Sequence, residues 1–234
     1  MGEVNGILII DKPAGWTSHD VVAKLRGILR EKKIGHGGTL DPMATGVLPV
    51  FVGKATRCAA FAESMDKEYI AGLRLGLVTD TQDITGNVLE TREHSVTETE
   101  LRETLNSFTG PQKQIPPMYS AVKIGGERLY KLARRGVQVD RPARDIIISA
   151  IELASEASGD WFLKISCSKG TYIRTLCHDI GTALDCGGVM SYLRRTRAGC
   201  FKIEDAVTLE TVQDAVRNGR IDELLIPANN LFPG

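Results

Sequence analysis

The sequence predicts an α/β fold of the α+β kind: a mixed, mostly antiparallel central sheet flanked by helices, with a protruding basic insertion. Three observations lead there. Two short continuous apolar runs, Gly6–Ile10 and Val47–Val52, have the length and bounding turns of buried strands. Several other segments repeat apolar residues at helical spacing behind clear capping residues. A third pattern, Ile146–Leu153 and Trp161–Ser168 joined through Ser158-Gly159-Asp160, reads as a hairpin.

Taken in order, Gly6–Ile10 is broken by the turn residues Asp11-Lys12-Pro13-Ala14-Gly15. Thr17 and Asp20 form a capping box for a helix whose Val21, Val22, Leu25, Ile28 and Leu29 share one face. A glycine-rich loop follows, then Val47–Val52, where Pro49 predicts an edge or a bulge. Lys54–Ser64 reads as a short helix. Lys67–Leu75 alternates, with Tyr69, Ala71, Leu73 and Leu75 on one face, and Asn87–Glu93 is read as its partner strand. Thr97–Phe108 is a helix with a second capping box, Thr97 and Glu100, stopped by Gly110-Pro111.

From Gln114 the character changes. Residues 117–144 are basic, glycine-punctuated and poor in core periodicity, with a short basic helix over Glu127–Arg135. This is the pattern of an arm inserted in the domain, and structureless insertions of this length are usually functional. Tyr172–Leu184 is a helix with Arg174 in its first turn, where a cation opposes the helix dipole. Val189–Arg197 is a strand with Tyr192, Arg194 and Thr196 on one face and Leu193 and Arg195 on the other. A helix over Leu209–Asn218 is capped by Thr208.

The chain has 234 residues, of which 42% are hydrophobic, enough for one large domain with an ordinary core. We read it as one domain over residues 1–234. The N-terminal residues have no basic or apolar signal region, and no apolar run reaches the length of a membrane span. Cytoplasm is the expected compartment. The five cysteines form no C-x-x-C pair, which argues against a structural zinc site or a disulfide framework. Formal net charge is zero, yet the cations are grouped. They gather at Lys24–Lys33, at Lys123–Arg144 and at Arg194, Arg195 and Arg197, while acids gather at Glu90–Glu103. Such separation suits one phosphate-facing surface.

Gly35-His36-Gly37-Gly38-Thr39-Leu40-Asp41-Pro42-Met43-Ala44-Thr45-Gly46 holds four glycines, one proline and a single carboxylate. It cannot be a helix or a central strand. Taken alone, it is a surface turn. Taken with Asp11–Gly15, Ile115-Pro116-Pro117-Met118-Tyr119-Ser120-Ala121-Val122-Lys123 and Ser168-Lys169-Gly170-Thr171-Tyr172-Ile173-Arg174, it makes a set of four motifs. On these the chain closely resembles the TruB family of tRNA pseudouridine synthases, from about Gly6 to the last helix.

The resemblance implies the pseudouridine synthase fold and isomerisation of uridine-55 in the T-loop of tRNA. It implies that Asp41 is the catalytic aspartate and that Arg174 pairs with it. His36 matches the histidine that fills the space left by the flipped base. Tyr69 matches the tyrosine that stacks on that base and can take the proton from C5. Tyr172 and Leu193 match pocket residues, Asp83 matches a carboxylate on the RNA loop, and residues 117–144 match a flexible thumb. No metal and no cofactor are implied, and the partner is the T-arm of tRNA, bound by a monomer. Family members in bacteria typically carry a C-terminal RNA-binding PUA domain, which is not expected in a chain ending at Leu231-Phe232-Pro233-Gly234. Two other classes remain open on residues alone: an RNA chaperone that refolds tRNA without chemistry, and a nucleoside hydrolase using Asp41.

Overall fold

The structure, a computed structural model, describes residues 4–228. The terminal residues Leu231–Gly234 therefore lie outside the described residues. From the N-terminal side come β1 (Gly6–Lys12), α1 (Ser18–Leu29), β2 (Ile34–His36), β3 (Thr45–Val52), a 3₁₀ turn (Gly53–Cys58), α2 (Ala59–Glu63) and β4 (Lys67–Leu75). Then follow β5 (Leu77–Thr79), β6 (Val88–Thr91), α3 (Glu98–Ser107), β7 (Gly110–Gln114), β8 (Lys123–Ile124), β9 (Glu127–Arg128) and α4 (Leu129–Arg134). The long hairpin β10 (Arg144–Ala157) and β11 (Asp160–Cys167) leads to α5 (Ile173–Ala183) and β12 (Gly188–Ala198), and β13 (Phe201–Lys202) and α6 (Leu209–Arg217) complete the order.

The chain divides into two compact units, one running to Tyr69 and resuming at Leu193, the other spanning Ile70–Tyr192. Both division points fall inside strands, β4 and β12.

In the first unit β1 pairs antiparallel with the whole of β3, from Gly6 opposite Val52 to Lys12 opposite Gly46. The continuous apolar runs are explained by burial on both faces. Leu8 and Ile10 of β1 join Leu48, Val50 and Val52, α1 and α6 in one core cluster. Ile7 and Ile9 join Val47, Phe51, Ala62 and Phe201 in another. The capping box at Thr17 is present, with Asp20 N donating to Thr17 Oγ1 at 3.1 Å and Thr17 N to Asp20 Oδ2 at 2.9 Å. Pro49 is accommodated on the edge of β3 away from β1. Among the described residues that edge pairs β12 only at Thr45 and Gly46 and β2 only at Val50–Val52. The Pro49 carbonyl points to this gap and accepts from Gly37 N at 2.8 Å. Because N and C=O of a strand residue face the same edge, the missing N–H falls where no ladder partner needs it.

In the second unit the sheet order is β12-β4-β11-β10-β7. Asn87–Glu93 departs from expectation. Its strand, β6, pairs with β5 in a separate ribbon rather than with Lys67–Leu75. The chain turns at Gly76, whose φ of +81° ends β4, and loop 80–87 closes the new hairpin locally. The basic insertion is tied to itself. Tyr130 N donates to Ser120 O, Leu129 N to Val122 O, and Leu129 is fully buried. Arg141 Nη1 reaches Pro116 O at 3.0 Å and joins its two ends.

Two glycines give opposite predictions. Gly27, inside α1, has open space where a Cβ would stand, so Gly27→Ala raises stability by about 0.5–1 kcal/mol. Gly181, inside α5, would place a Cβ 2.2 Å from Gly188 N, so Gly181→Ala lowers it by at least about 1–3 kcal/mol. Urea midpoints of the two variants check both signs.

Candidate active site

The first unit holds four of the sequence-nominated residues: His36, Asp41, Tyr69 and Leu193. Asp41 lies half-buried in the glycine-rich loop, which the fold pins from several sides. Ser18 Oγ in α1 accepts from Leu40 N at 2.9 Å. Gly15 N donates to Pro42 O at 2.8 Å, and Ala44 N to Asp41 O at 3.0 Å. Two of the four glycines serve packing within the protein. A Cβ on Gly37 would stand 2.7 Å from Ala62 Cβ, and one on Gly46 (φ +98°) 2.2 Å from Arg195 O. At Gly35 a Cβ would meet nothing within 4 Å, so only there does the backbone face open space.

Two buried cations complete the clamp, and neither was singled out from sequence. Lys12 is fully buried, and its Nζ donates to Pro13 O (2.9 Å), Trp16 O (2.6 Å) and Pro42 O (3.2 Å). Three carbonyls match the three N–H bonds of an ammonium. Burial pulls the Lys12 pKa down to about 8, the Asp41 carboxylate pulls it back up, and Arg195 lowers it. Arg195 is 1% exposed; its Nε donates to Val47 O at 2.7 Å and its Nη2 to Gly38 O at 3.1 Å. It therefore ties the two ends of the loop together across Asp41. The neighbouring cations are also committed. Arg194 forms a bidentate pair with Asp11 (3.1 and 2.8 Å), and Arg197 pairs with Glu68 at 2.8 Å. The run 194–197 is thus not the open phosphate-facing charge its composition suggests.

His36, on β2, packs edge-on against His19 with ring centroids 5.3 Å apart. Burial, then the charges of His19 and Arg195, push its pKa down to about 4, so its imidazole is neutral at neutral pH. Its Nδ1 is buried and makes no hydrogen bond among the described residues. Tyr69 and Leu193 are buried on β4 and β12.

The second unit holds Asp83, Tyr172 and Arg174. Arg174 is 5% exposed at the start of α5. Its Nη1 donates to Thr81 O at 3.1 Å and its Nη2 to Tyr119 O at 2.8 Å. Its Nε stands 3.9 Å from Asp83 Oδ2. This explains a cation tolerated in the first turn of a helix: carbonyls of two loops and a carboxylate outweigh the dipole. Asp83 is itself buried, its Oδ1 accepting from Thr81 Oγ1 (2.9 Å), Thr85 N (3.0 Å) and Thr85 Oγ1 (2.6 Å). Tyr172, the N-cap of α5, is fixed through its backbone by the buried Gln114. Gln114 Oε1 accepts from Tyr172 N at 2.8 Å, and Gln114 Nε2 donates to Tyr172 O at 3.0 Å. Gln114 carried no sequence signal at all. A groove elsewhere in this unit, lined by Glu93, Glu100, Glu103 and Asp185, is acidic and repels a polyanion. Among the described residues no cluster of metal-ligating side chains occurs, and no helix is long and apolar enough to cross a membrane.

Known proteins bear on this arrangement directly. A family model described as "TruB family pseudouridylate synthase (N terminal domain)" matches residues 26–173, and one described as "tRNA pseudouridylate synthase B C-terminal domain" matches residues 174–232. A tRNA pseudouridine synthase B from Alkaliphilus oremlandii is 50% identical over 96% of this chain and 74% of its own length. One from Opitutus terrae is 47% identical over 99% of this chain and 96% of its own. Among solved structures, a chain of a Cbf5-Nop10-Gar1 complex superposes with a TM-score of 0.76 at 35% identity, over 96% of this chain. This protein spans 60% of that longer chain. The fold is thus that of the pseudouridine synthases, mixed α/β on a mostly antiparallel sheet. The chain belongs to the TruB family of pseudouridylate synthases.

The His36 environment predicts an acid limit. The folded pKa of about 4 lies below the free value of 6.5, so the unfolded chain takes up the proton first as pH falls. His36 therefore contributes stability that is present above about pH 6.5 and lost as pH drops toward about 4. Thermal unfolding of His36→Gln across this range loses less stability on acidification than the parent protein does.

Proposed function

We propose that the protein isomerises uridine to pseudouridine in tRNA, at uridine-55 of the T-loop. The observation that carries this is the match of the TruB model through a chain that retains Asp41 in a clamped loop and a buried Arg174. The reaction breaks the N1–C1′ bond, turns the base and forms C5–C1′; C5 loses its proton and N1 gains one. It changes neither oxidation state nor atom count, so no cofactor enters the scheme.

The residues divide the work. A stacked base is out of reach, so the target nucleotide leaves the stack at a cost of a few kcal/mol. His36, neutral and with an Nδ1 that makes no hydrogen bond among the described residues, occupies the vacated space and offers a hydrogen-bond acceptor or donor there. Tyr69 stacks on the extruded base, worth about 1–3 kcal/mol, and is the candidate to remove the C5 proton. Tyr172 and Leu193 line the uracil pocket. Asp83 contacts the RNA loop and holds the Nε side of Arg174. Arg174 is the cation that pairs with Asp41 and aims its carboxylate. Asp41 starts the reaction, as nucleophile or as base. Residues 117–144 close over the T-loop. The enzyme acts as a monomer in the cytoplasm.

Release of tritium from tRNA labelled at uridine C5 reads the reaction. Asp41→Asn lowers the rate at least about 10³-fold, or about 4 kcal/mol in the barrier, with tRNA binding retained. Near-normal turnover by this variant removes Asp41 from its role. Arg195→Lys, whose single ammonium cannot bond both Gly38 O and Val47 O, lowers kcat about tenfold or more with little change in KM. A change confined to KM contradicts the clamp.

A further inference from the structure

The basic run Lys24–Lys33 is not absorbed by the site. In the first unit the turn after α1 and the 3₁₀ turn after β3 stand side by side. Gly53 N donates to Lys33 O at 2.7 Å, and Ile34 pairs with Val52. This gathers Arg30, Lys32 and Lys33 with Lys54 and Arg57, all exposed. A cation at Arg30 has an ordinary reason, the carbonyl end of α1. Lys32, Lys33, Lys54 and Arg57 lie past that helix and lack it. Glu31, the acid within the run, is engaged with the Lys33 backbone N–H at 2.7 Å. Among the described residues Arg30, Lys32, Lys33 and Arg57 form no ion pair. Exposed like charges gathered this closely repel one another, and a bound polyanion relieves this.

The place of the patch limits which part of a nucleic acid it meets. β3 runs from Thr45, beside the Asp41 loop, to Val52, beside the patch, about 23 Å at about 3.3 Å per residue. The patch is therefore at the end of β3 remote from Asp41.

We propose that Lys32, Lys33, Lys54 and Arg57, with Arg30, form a second phosphate-binding surface that grips tRNA outside the loop carrying the target uridine. This rests on the tRNA-modifying activity proposed above. The surface reads charge and not sequence, because phosphate contacts position a nucleic acid without specifying its bases.

Two substrates separate the possibilities: whole unmodified tRNA, and a T-arm hairpin of about five base pairs, which lacks every phosphate outside the T-arm. The variant combines Lys32→Ala, Lys33→Ala and Arg57→Ala, and a second combines Lys32→Glu and Lys33→Glu. For whole tRNA, Kd at about 0.1 M salt rises about tenfold or more, and the slope of log Kd against log salt falls by about two units. For the hairpin, Kd changes less than about twofold. Unchanged Kd and slope for whole tRNA overturn the proposal, and so does equal weakening for both substrates. Parent protein that releases no tritium from either substrate overturns the activity itself, a result distinct from both.

Discussion

The loop that carries Asp41 depends on two buried cations that hold backbone carbonyls in and around it. A loop made of glycine, proline and small residues has few side chains with which to satisfy its own carbonyls, and orphaned carbonyls in a buried setting cost free energy. Arg195 bonds Gly38 O and Val47 O, and Lys12 bonds Pro42 O together with Pro13 O and Trp16 O. The cost of burying each charge is offset by several charge-assisted hydrogen bonds. What results is a carboxylate, Asp41, carried on a backbone that is fixed on both sides without a helix or a strand.

The same logic runs through the second unit. Arg174 is held by carbonyls of two different loops, at Thr81 and Tyr119, and faces Asp83. Asp83 in turn is held by Thr81 and Thr85. Gln114 fixes the backbone of Tyr172, two residues before Arg174. The Arg174 guanidinium and the Tyr172 backbone are thus held in place by the polar groups around them. Electrostatic preorganisation of this kind is what lets a carboxylate and a guanidinium act without reorganising during the reaction.

Much of the fold was legible in sequence because it rests on local signals. The capping boxes at Thr17 and Thr97, the doubly buried runs of β1 and β3 and the β10–β11 hairpin all behave as their patterns require. The pairing of β6 was not legible, because alternation finds a strand but not its partner. Arg195 shows a subtler failure. Its alternation with Leu193 on β12 points it inward, yet three arginines among four residues read as surface charge. The period was the better guide. Lys12 was hidden in the same way, as a turn residue at the end of an apolar strand. Gln114 could not have been found, since its partner lies 58 positions away. The motif residues themselves became legible only together, as one family pattern.

The measurement that bears most directly on the account is the map of the product. Unmodified tRNA incubated with the protein, treated with carbodiimide and read by primer extension, gives one new stop, at the T-loop uridine, with the strand intact. No stop at stoichiometric protein, or an abasic site with free uracil in solution, contradicts it.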